Sequence, residues 1–534
     1  MAEYSKLNVQ KVRQLAKFKI DYSKVRILEY IDKEKRMPGS FKDFIRIFPK
    51  VTFETQEVPR PTFPIDLRYL QDYSTTHYPK GKMIVAVNWD LYSLISTHVD
   101  QYVVDVSNDG YYATVYRVKG GKAQDLRDFL KSRLPIIGAL FIGALPVAWF
   151  EMDDDFHNTR SEFPSDLYYM DLNGTWTDVD ADGKFNEHSS DVQPEIWLGR
   201  LWTPTEGGND AELISDYFRR NHEFRKGLRG YSRTALAYVD DDWQHFDDCA
   251  FDLMFPSSSI EVIKDPATTD GDRYKAEINQ HRGWAQICAH SSPFGHSFSI
   301  PSGSEWVPNI YLRDTNPPNA FFYNIFACSN ARFTETDYMT GWYIFSAPSF
   351  HIFDAAVIPR TNGLAAVGST KTGSMLYFEN FYGPMADGKV IGESYKDWWS
   401  ALGTDHDLYE KRWFYGLVLL GDPTINWWSG VVPILRDPED NETFDHCPRK
   451  TNFRWDSIDI PGATYSIEID AFGAVSPDKW AAEIGQTGFV QLGLAENRYE
   501  YDFVGAQRGR WRVRARVANL DCPWSDWRYF RYTK

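Results

Sequence analysis

WAQICAHSSPFGHSF (residues 284–298) and FFYNIFACSNARFTE (residues 321–335) decide the fold. Each opens as a continuous apolar run of strand length and stops abruptly in small and polar residues, the pattern of a strand buried on both faces of a parallel sheet. One run ends at His290 and the other at Cys328. In open α/β sheets, sites form outside the carboxyl ends of the strands. Two such strands side by side put an imidazole next to a thiol, the base and nucleophile of a cysteine hydrolase. Singly, neither residue says as much, because cysteine is among the most buried residue types and a strand-end histidine commonly serves a structural hydrogen bond.

Around these runs the chain alternates. Strand patterns at 82–88, 112–118 and 138–146 bracket helical periods at 91–107 and 123–133. A helix at 211–226 leads to strands at 233–239 and 260–265, with helices expected at 244–254 and 272–280. After Cys328 come an aromatic helix at 341–357 and a strand at 363–370. Such alternation implies parallel sheets with right-handed crossovers, divided into an α/β subdomain over 81–229 and a second over 230–430.

Four further stretches carry a family resemblance: FPSDLYYMDLNGTWTDVDADGKF (163–185), PEIWLGRL (194–201), GLAAVGST (363–370) and YGLVLLGDPTINWW (415–428). With Ala289-His290-Ser291 and Ala327-Cys328-Ser329-Asn330, they resemble, in order, the gingipain-like cysteine peptidases of the caspase-like clan. The resemblance implies a caspase/gingipain-like parallel-sheet sandwich of two subdomains and a thiol protease that cleaves peptides or proteins. Cys328 then attacks the carbonyl, His290 carries the proton, and the backbone N–H groups of Ser291 and Cys328 hold the oxyanion. Ala289 and Ser291 stand where the family usually has glycine, which alters the oxyanion geometry.

By resemblance to arginine-specific members, Asp240, Asp241 or Asp242 pairs with an Arg or Lys at the cleaved position; the alternative is an acidic loop without that task. Met375 and Phe378 are expected as an apolar wall, with Glu379 a second acid nearby. Cys288 points to the same face as His290 but deeper, so it is assigned to the core. His296 is assigned a substrate-side or structural place.

Asp178, Asp180 and Asp182 alternate before Gly183, as at the opening of a calcium loop, where a hard cation collects carboxylates through a sharp turn. Ser189 stands at the twelfth position, so Glu187 or Asp191 would have to replace the usual bidentate Glu. A solvated acidic turn is the alternative. The family resemblance adds weight to calcium as a structural ion, and no organic cofactor is expected.

The chain of 534 residues is 43% hydrophobic and 16% aromatic with 19 Trp, enough for two or three packed domains. A net charge of −16 argues against a general nucleic-acid binder. The longest apolar candidate, 135–149, is broken by Pro146 and too short for a membrane span. The first fifty residues hold 13 Lys/Arg against 6 Asp/Glu, with helical spacing at Val12, Leu15 and Phe18 and again at Ile27, Leu28 and Ile31. Residues 1–80 therefore read as a solvated basic extension or as a propeptide packed on the acidic body, with Arg36 and Arg60 as cleavage points. Residues 432–445 read as a linker. Residues 445–534, with short alternating strands and an Arg/Trp alternation, resemble a fibronectin type III domain with a cation–π ladder. Cys447 and Cys522 are either bridged or two separate thiols.

Family resemblance and the sandwich favour a secreted or cell-surface protein. The absence of an apolar leader in this chain favours the cytoplasm. The leading expectation is a cysteine endopeptidase. The alternatives are a catalytically silent member that serves as a protein-binding module, or another thiol hydrolase on the same core.

Overall fold

The computed structural model describes residues 20–533 except 49, 62–79, 190, 192, 231, 316, 347–360, 404–405, 459, 461, 475, 482–487, 504–506 and 518–519. The helix expected around Val12–Phe18 and most of the expected helix at 341–357 lie outside those residues. No helix among the described residues is long and apolar enough to cross a membrane.

One eleven-stranded sheet runs through the body. In chain order its strands are β1 (Glu54–Glu57), β2 (Gly81–Asn88), β3 (Tyr111–Lys119), β4 (Gly138–Ile142), β5 (Trp197–Leu201), β6 (Ala235–Val239), β7 (Ile260–Ile263), β8 (Arg282–Cys288), β9 (Ala320–Phe326), β10 (Ala365–Ser369) and β11 (Leu417–Gly421). Their spatial order is β1-β3-β2-β4-β5-β11-β10-β9-β8-β6-β7. The parallel order expected in both subdomains is corrected to one continuous mixed sheet. The last strand, β11, sits at its centre, parallel to β5 and antiparallel to β10. The two halves therefore run in opposite directions, and their carboxyl edges lie at opposite ends. Every residue of β8 and β9 is buried, which is why both sequences read as unbroken apolar runs.

The helices follow their sequence signals. α1 (Trp89–Asn108) buries Leu91, Ile95, Val99, Tyr102, Val103 and Val106, and the Asn88 side chain caps it by accepting from Asp90 N–H and Leu91 N–H. α2 (Ala211–Arg225) is capped the same way by Asp210. Residues 244–254, expected as one helix, lie in short 3₁₀ turns instead. Cys249 and Ala250 there take positive φ, which a continuous helix excludes.

α1 and α2 are locked to β11 by a buried polar knot at the Leu-Gly-Asp-Pro motif. Asp422 is fully buried. It accepts from Arg225 Nη2 at 2.6 Å, Asn221 Nδ2 at 2.8 Å, Tyr102 OH at 2.8 Å and Thr424 Oγ1 at 2.7 Å. Its own N–H donates to Tyr217 OH at 2.7 Å. Burial pushes the Asp422 carboxyl up, but the Arg225 guanidinium and these donors outweigh it and hold it below the usual carboxylate range.

The N-terminal extension is not a solvated appendage over its described part. Residues 20–40 cross the carboxyl edge of β8. The helix Phe41–Ile47 sets Phe44 against Trp149 at 5.5 Å between ring centroids. β1 pairs antiparallel with β3 and closes the edge of the sheet with charged residues. Ile27, Leu28 and Ile31, expected as helical, lie in extended chain, where Tyr30 forms a parallel bridge with Ser291. Tertiary pairing with a strand end overrides a helical spacing this short.

The C-terminal unit is a two-sheet β sandwich. Its smaller sheet holds Leu435–Asp437, Lys450–Trp455 and Arg498–Asp502; the larger includes Glu442–Phe444, Thr464–Ala471, Arg508–Val517 and Arg528–Tyr532. The expected linker at 432–445 thus supplies one edge strand to each sheet; at three residues each, they are too short for a periodic signal. The expected ladder is present: Arg510 lies over Trp480 and Trp527, Arg512 over Trp524 and Trp527, and Arg514 over Trp524. Cys447 is exposed, Cys522 is buried, and both are free thiols. Lys226 of the body pairs with Asp526 at 2.5 Å.

Candidate active site

Three neighbouring parallel strands end together. Val239 of β6 is opposite Cys288 of β8, and Cys288 is opposite Phe326 of β9. Past that line the edge is closed by Asp240 N–H donating to Cys288 O at 3.0 Å and Ala289 N–H donating to Phe326 O at 3.1 Å. His290 and Cys328 each follow two residues beyond the last paired position. Both sequence-derived dyad residues therefore leave the sheet on adjacent strands at the same edge.

His290 opens a small antiparallel hairpin, pairing with Ser297. Its Nε2 lies 2.8 Å from Asp242 Oδ2, and its Nδ1 accepts the Glu29 backbone N–H at 2.9 Å. An amide N–H can only donate, so Nδ1 is the unprotonated nitrogen and the ring hydrogen on Nε2 goes to Asp242. Trp243 packs edge-on against the imidazole at 4.8 Å. Ser291 Oγ donates to Cys328 O at 2.6 Å and ties the two strand ends together. Asn330 Nδ2 adds a second tie to Ser292 O at 3.2 Å. A glycine at 291 would lack the first of these.

Cys328 is fully buried. Burial pushes its thiol up to about 12, opposed by the Gly373 N–H, the Thr372 hydroxyl and the Lys371 charge. Ser329, directly after it, takes φ +54°, the left-handed conformation of a sharp strand-to-loop turn. Ser329 N–H donates to Lys371 O at 2.8 Å, so the loop after β10 is fastened beside the thiol. Lys371 is itself buried and ion-paired with Asp155 at 2.9 Å. Sequence reasoning missed both residues, since nothing in a lone Lys or Asp announces a buried pair.

The acid triplet divides its work. Asp240 is buried and accepts the Ser299 N–H at 3.0 Å, which fastens the hairpin that follows His290. Asp241 accepts from Thr269 Oγ1 at 3.0 Å. Asp242 holds His290 and also pairs with the guanidinium of Arg26 from the crossing segment. The structure thus places Asp240 and Asp241 in loop anchoring, and Asp242 as the histidine's partner beside one exposed arginine. Met375 is fully buried, with Asn324 Nδ2 3.5 Å from its Sδ. Phe378 lies beside Phe246 and Phe326 at 5.1 and 6.3 Å. Cys288 is buried in the core, as expected. His296 is buried with its Nε2 2.9 Å from Tyr343 OH, a structural role, and burial pushes it down to about 3.

Asp240 has a measurable signature. Burial raises it from its ordinary value to about 7. The folded state therefore keeps a proton that the unfolded chain loses above about pH 4, and stability falls as pH rises from there to about 7. Asp240→Asn is expected to flatten that slope in urea-unfolding midpoints measured from pH 4 to 8.

Of the four expected calcium ligands, Asp178, Asp180 and Asp182 share one turn, and Glu187 stands apart from them on a strand. Asp178 accepts the Asp182 and Gly183 N–H groups at 3.1 and 2.8 Å and so closes its own turn. Glu187 lies on a short strand paired with Thr177. The carboxylates that do gather are Glu151, Asp180 and Asp182. Lys184 Nζ already lies 2.6 Å from Glu151, 2.9 Å from Asp182 and 2.8 Å from Glu162. That ammonium and the Arg160 guanidinium on Glu151 already supply positive charge inside the cluster, which opposes a calcium ion there. Chelation with EGTA is accordingly expected to shift the thermal midpoint by less than about 1 °C, since a bound ion would stabilise the fold by mass action.

The segment 20–40 lies across this edge at further points. Ile31 N–H donates to Ser291 O at 2.9 Å, Trp243 Nε1 donates to Arg26 O at 2.9 Å, and Ser292 Oγ donates to Asp32 Oδ2 at 2.9 Å. Tyr22 seats its ring among Phe246, Tyr377 and Phe378 at 6.4, 4.7 and 6.0 Å. Under this cover His290 retains 7% of its surface.

No family model matches the chain, and no curated protein matches it. Among solved structures, the chain is similar to a Fn3-like protein from Clostridium thermocellum, at 15% identity over 19% of this chain and 92% of that chain, with a TM-score of 0.13.

Proposed function

We propose that this chain is a cysteine-type peptidase of caspase/gingipain-like fold, held latent by its own residues 20–40. The observation that carries the reading is His290, oriented by Asp242 at the edge where the neighbouring strand delivers Cys328. In the reaction the Cys328 thiol gives its proton to His290 Nδ1 as sulfur attacks the peptide carbonyl. Asp242 stays ionised and stabilises the imidazolium. The N–H groups of Ser291 and Cys328 face the developing oxyanion. Nδ1 then protonates the leaving amine, and a water that returns a proton to Nδ1 cleaves the thioester.

With residues 20–40 in place this sequence cannot start, because the Glu29 N–H occupies the nitrogen that must take the proton. Glu29→Pro deletes that N–H. It is expected to raise the rate of Cys328 alkylation by iodoacetamide about tenfold, the weight of one hydrogen bond to a buried group. An unchanged rate would count against latency. Peptide hydrolysis by the Glu29→Pro chain, absent when Cys328→Ala is added, tests the catalytic reading. If neither chain hydrolyses any peptide, the edge is a binding surface and the chain a silent member.

A further inference from the structure

The ring of Tyr22 occupies a pocket with more specific chemistry than an apolar wall. Phe246, Tyr377 and Phe378 enclose its faces and edges, and Phe246 continues at 5.1 Å to Phe326, two residues before Cys328. At the closed end, Tyr22 OH donates to Glu379 Oε2 at 2.8 Å and accepts the Phe378 backbone N–H at 2.9 Å. Glu379 is 6% exposed, and its other oxygen, Oε1, is buried with no hydrogen-bond partner among the described residues. The pocket end thus presents one acceptor and one donor at a single point, and a spare acceptor beside them.

We propose that this pocket is a recognition site for a tyrosine side chain of the substrate, and that Tyr22 fills it as a stand-in while the chain is latent. That the pocket receives a substrate rests on the peptidase reading; the pocket itself does not. Several side chains are apolar enough to enter, and the polar end separates them. A phenol is donor and acceptor at one atom, so it satisfies Glu379 and Phe378 N–H together. Phenylalanine would bury both groups unpaired, the situation in which sites built for a hydroxyl reject the analogue that lacks it. Lysine or arginine could answer the carboxylate but offers no acceptor to the Phe378 N–H. The acid triplet, the part of the sequence expected to select a basic residue, is spent elsewhere, as described above.

The test uses the full chain with Tyr22→Ala, which vacates the pocket, titrated calorimetrically with N-acetyl-tyrosinamide, N-acetyl-phenylalaninamide and N-acetyl-argininamide. The tyrosine amide is expected to bind about a hundredfold more tightly than the phenylalanine amide, the arginine amide to be weaker still, and Glu379→Gln to narrow the preference. Equal binding of the three, a preference for arginine, or no binding of any overturns the proposal. Tyr22→Phe keeps the ring and so covers the case in which Tyr22→Ala does not fold. In that chain the Phe378 amide loses its acceptor and is expected to exchange its hydrogen at least about tenfold faster; unchanged exchange also overturns the proposal. Hydrolysis of peptides with Tyr disfavoured would sink the pocket and leave the peptidase standing. Tight tyrosine binding without any hydrolysis would do the reverse.

Discussion

Asp242→Asn is expected to lower kcat/KM for peptide hydrolysis about ten-thousandfold in a chain freed of its crossing segment, the loss seen when a triad carboxylate becomes an amide. The reason lies in the tautomer. Asp242 accepts the hydrogen on His290 Nε2 and leaves Nδ1 bare to take the thiol proton. An amide can present its NH₂ to Nε2, which moves the ring hydrogen to Nδ1 and disarms it. In the other orientation it removes the anion that stabilises the imidazolium. The same substitution has an opposite effect on the intact chain: an Nδ1–H would oppose the Glu29 N–H, and Arg26 would lose its partner. Cys328 alkylation should therefore rise while hydrolysis collapses. A purely structural role for Asp242 would move both readouts the same way, and hydrolysis within about tenfold of the parent would remove Asp242 from the mechanism.

Asp422→Ala is expected to cost about 3–5 kcal/mol, because it strands the buried Arg225 guanidinium without its main counter-charge. Arg225 also pairs with Asp109, so part of the charge remains compensated and the lower end of that range is the firmer expectation. The dependence on pH has a definite sign. The folded-state carboxyl is held below its unfolded value. Its stabilisation is therefore fully present above the unfolded value of about 4 and is lost as pH falls through the lowered folded value. The gap in urea midpoint between parent and variant should be widest near pH 7 and should shrink below about pH 4. A gap that is constant with pH would mean that packing, not charge, accounts for the motif.

What was legible in the sequence was whatever depends on neighbours along the chain. Continuous apolar runs in β8 and β9 announce strands buried on both faces, and two such runs ending in His290 and Cys328 place both residues at a sheet edge. The caps Asn88 and Asp210, the period of α1 and the Arg/Trp alternation of the sandwich belong to the same class, since each is a local pattern meeting a local requirement. Asp240, Asp241 and Asp242 show where that reasoning ends. Three identical adjacent side chains leave a tight turn in three directions, and which one meets the imidazole depends on backbone angles that composition does not encode.

The alternating acids at 178–182 suggest a cation site by spacing and by resemblance, and Lys184, which no spacing announces, folds into the cluster that Asp182 forms with Glu151. The helical spacing at Ile27, Leu28 and Ile31 gave way to extended pairing across His290, because a strand end with open backbone groups offers more than a single isolated turn of helix can. By itself, then, the sequence determined the alternating α/β body, the sandwich after it, and the two residues at the edge of the sheet. Only the tertiary structure decided which acid serves the histidine, what fills the pocket beside it, and that the chain's own N-terminal segment lies across both, because each of those depends on contacts between residues tens to hundreds of positions apart.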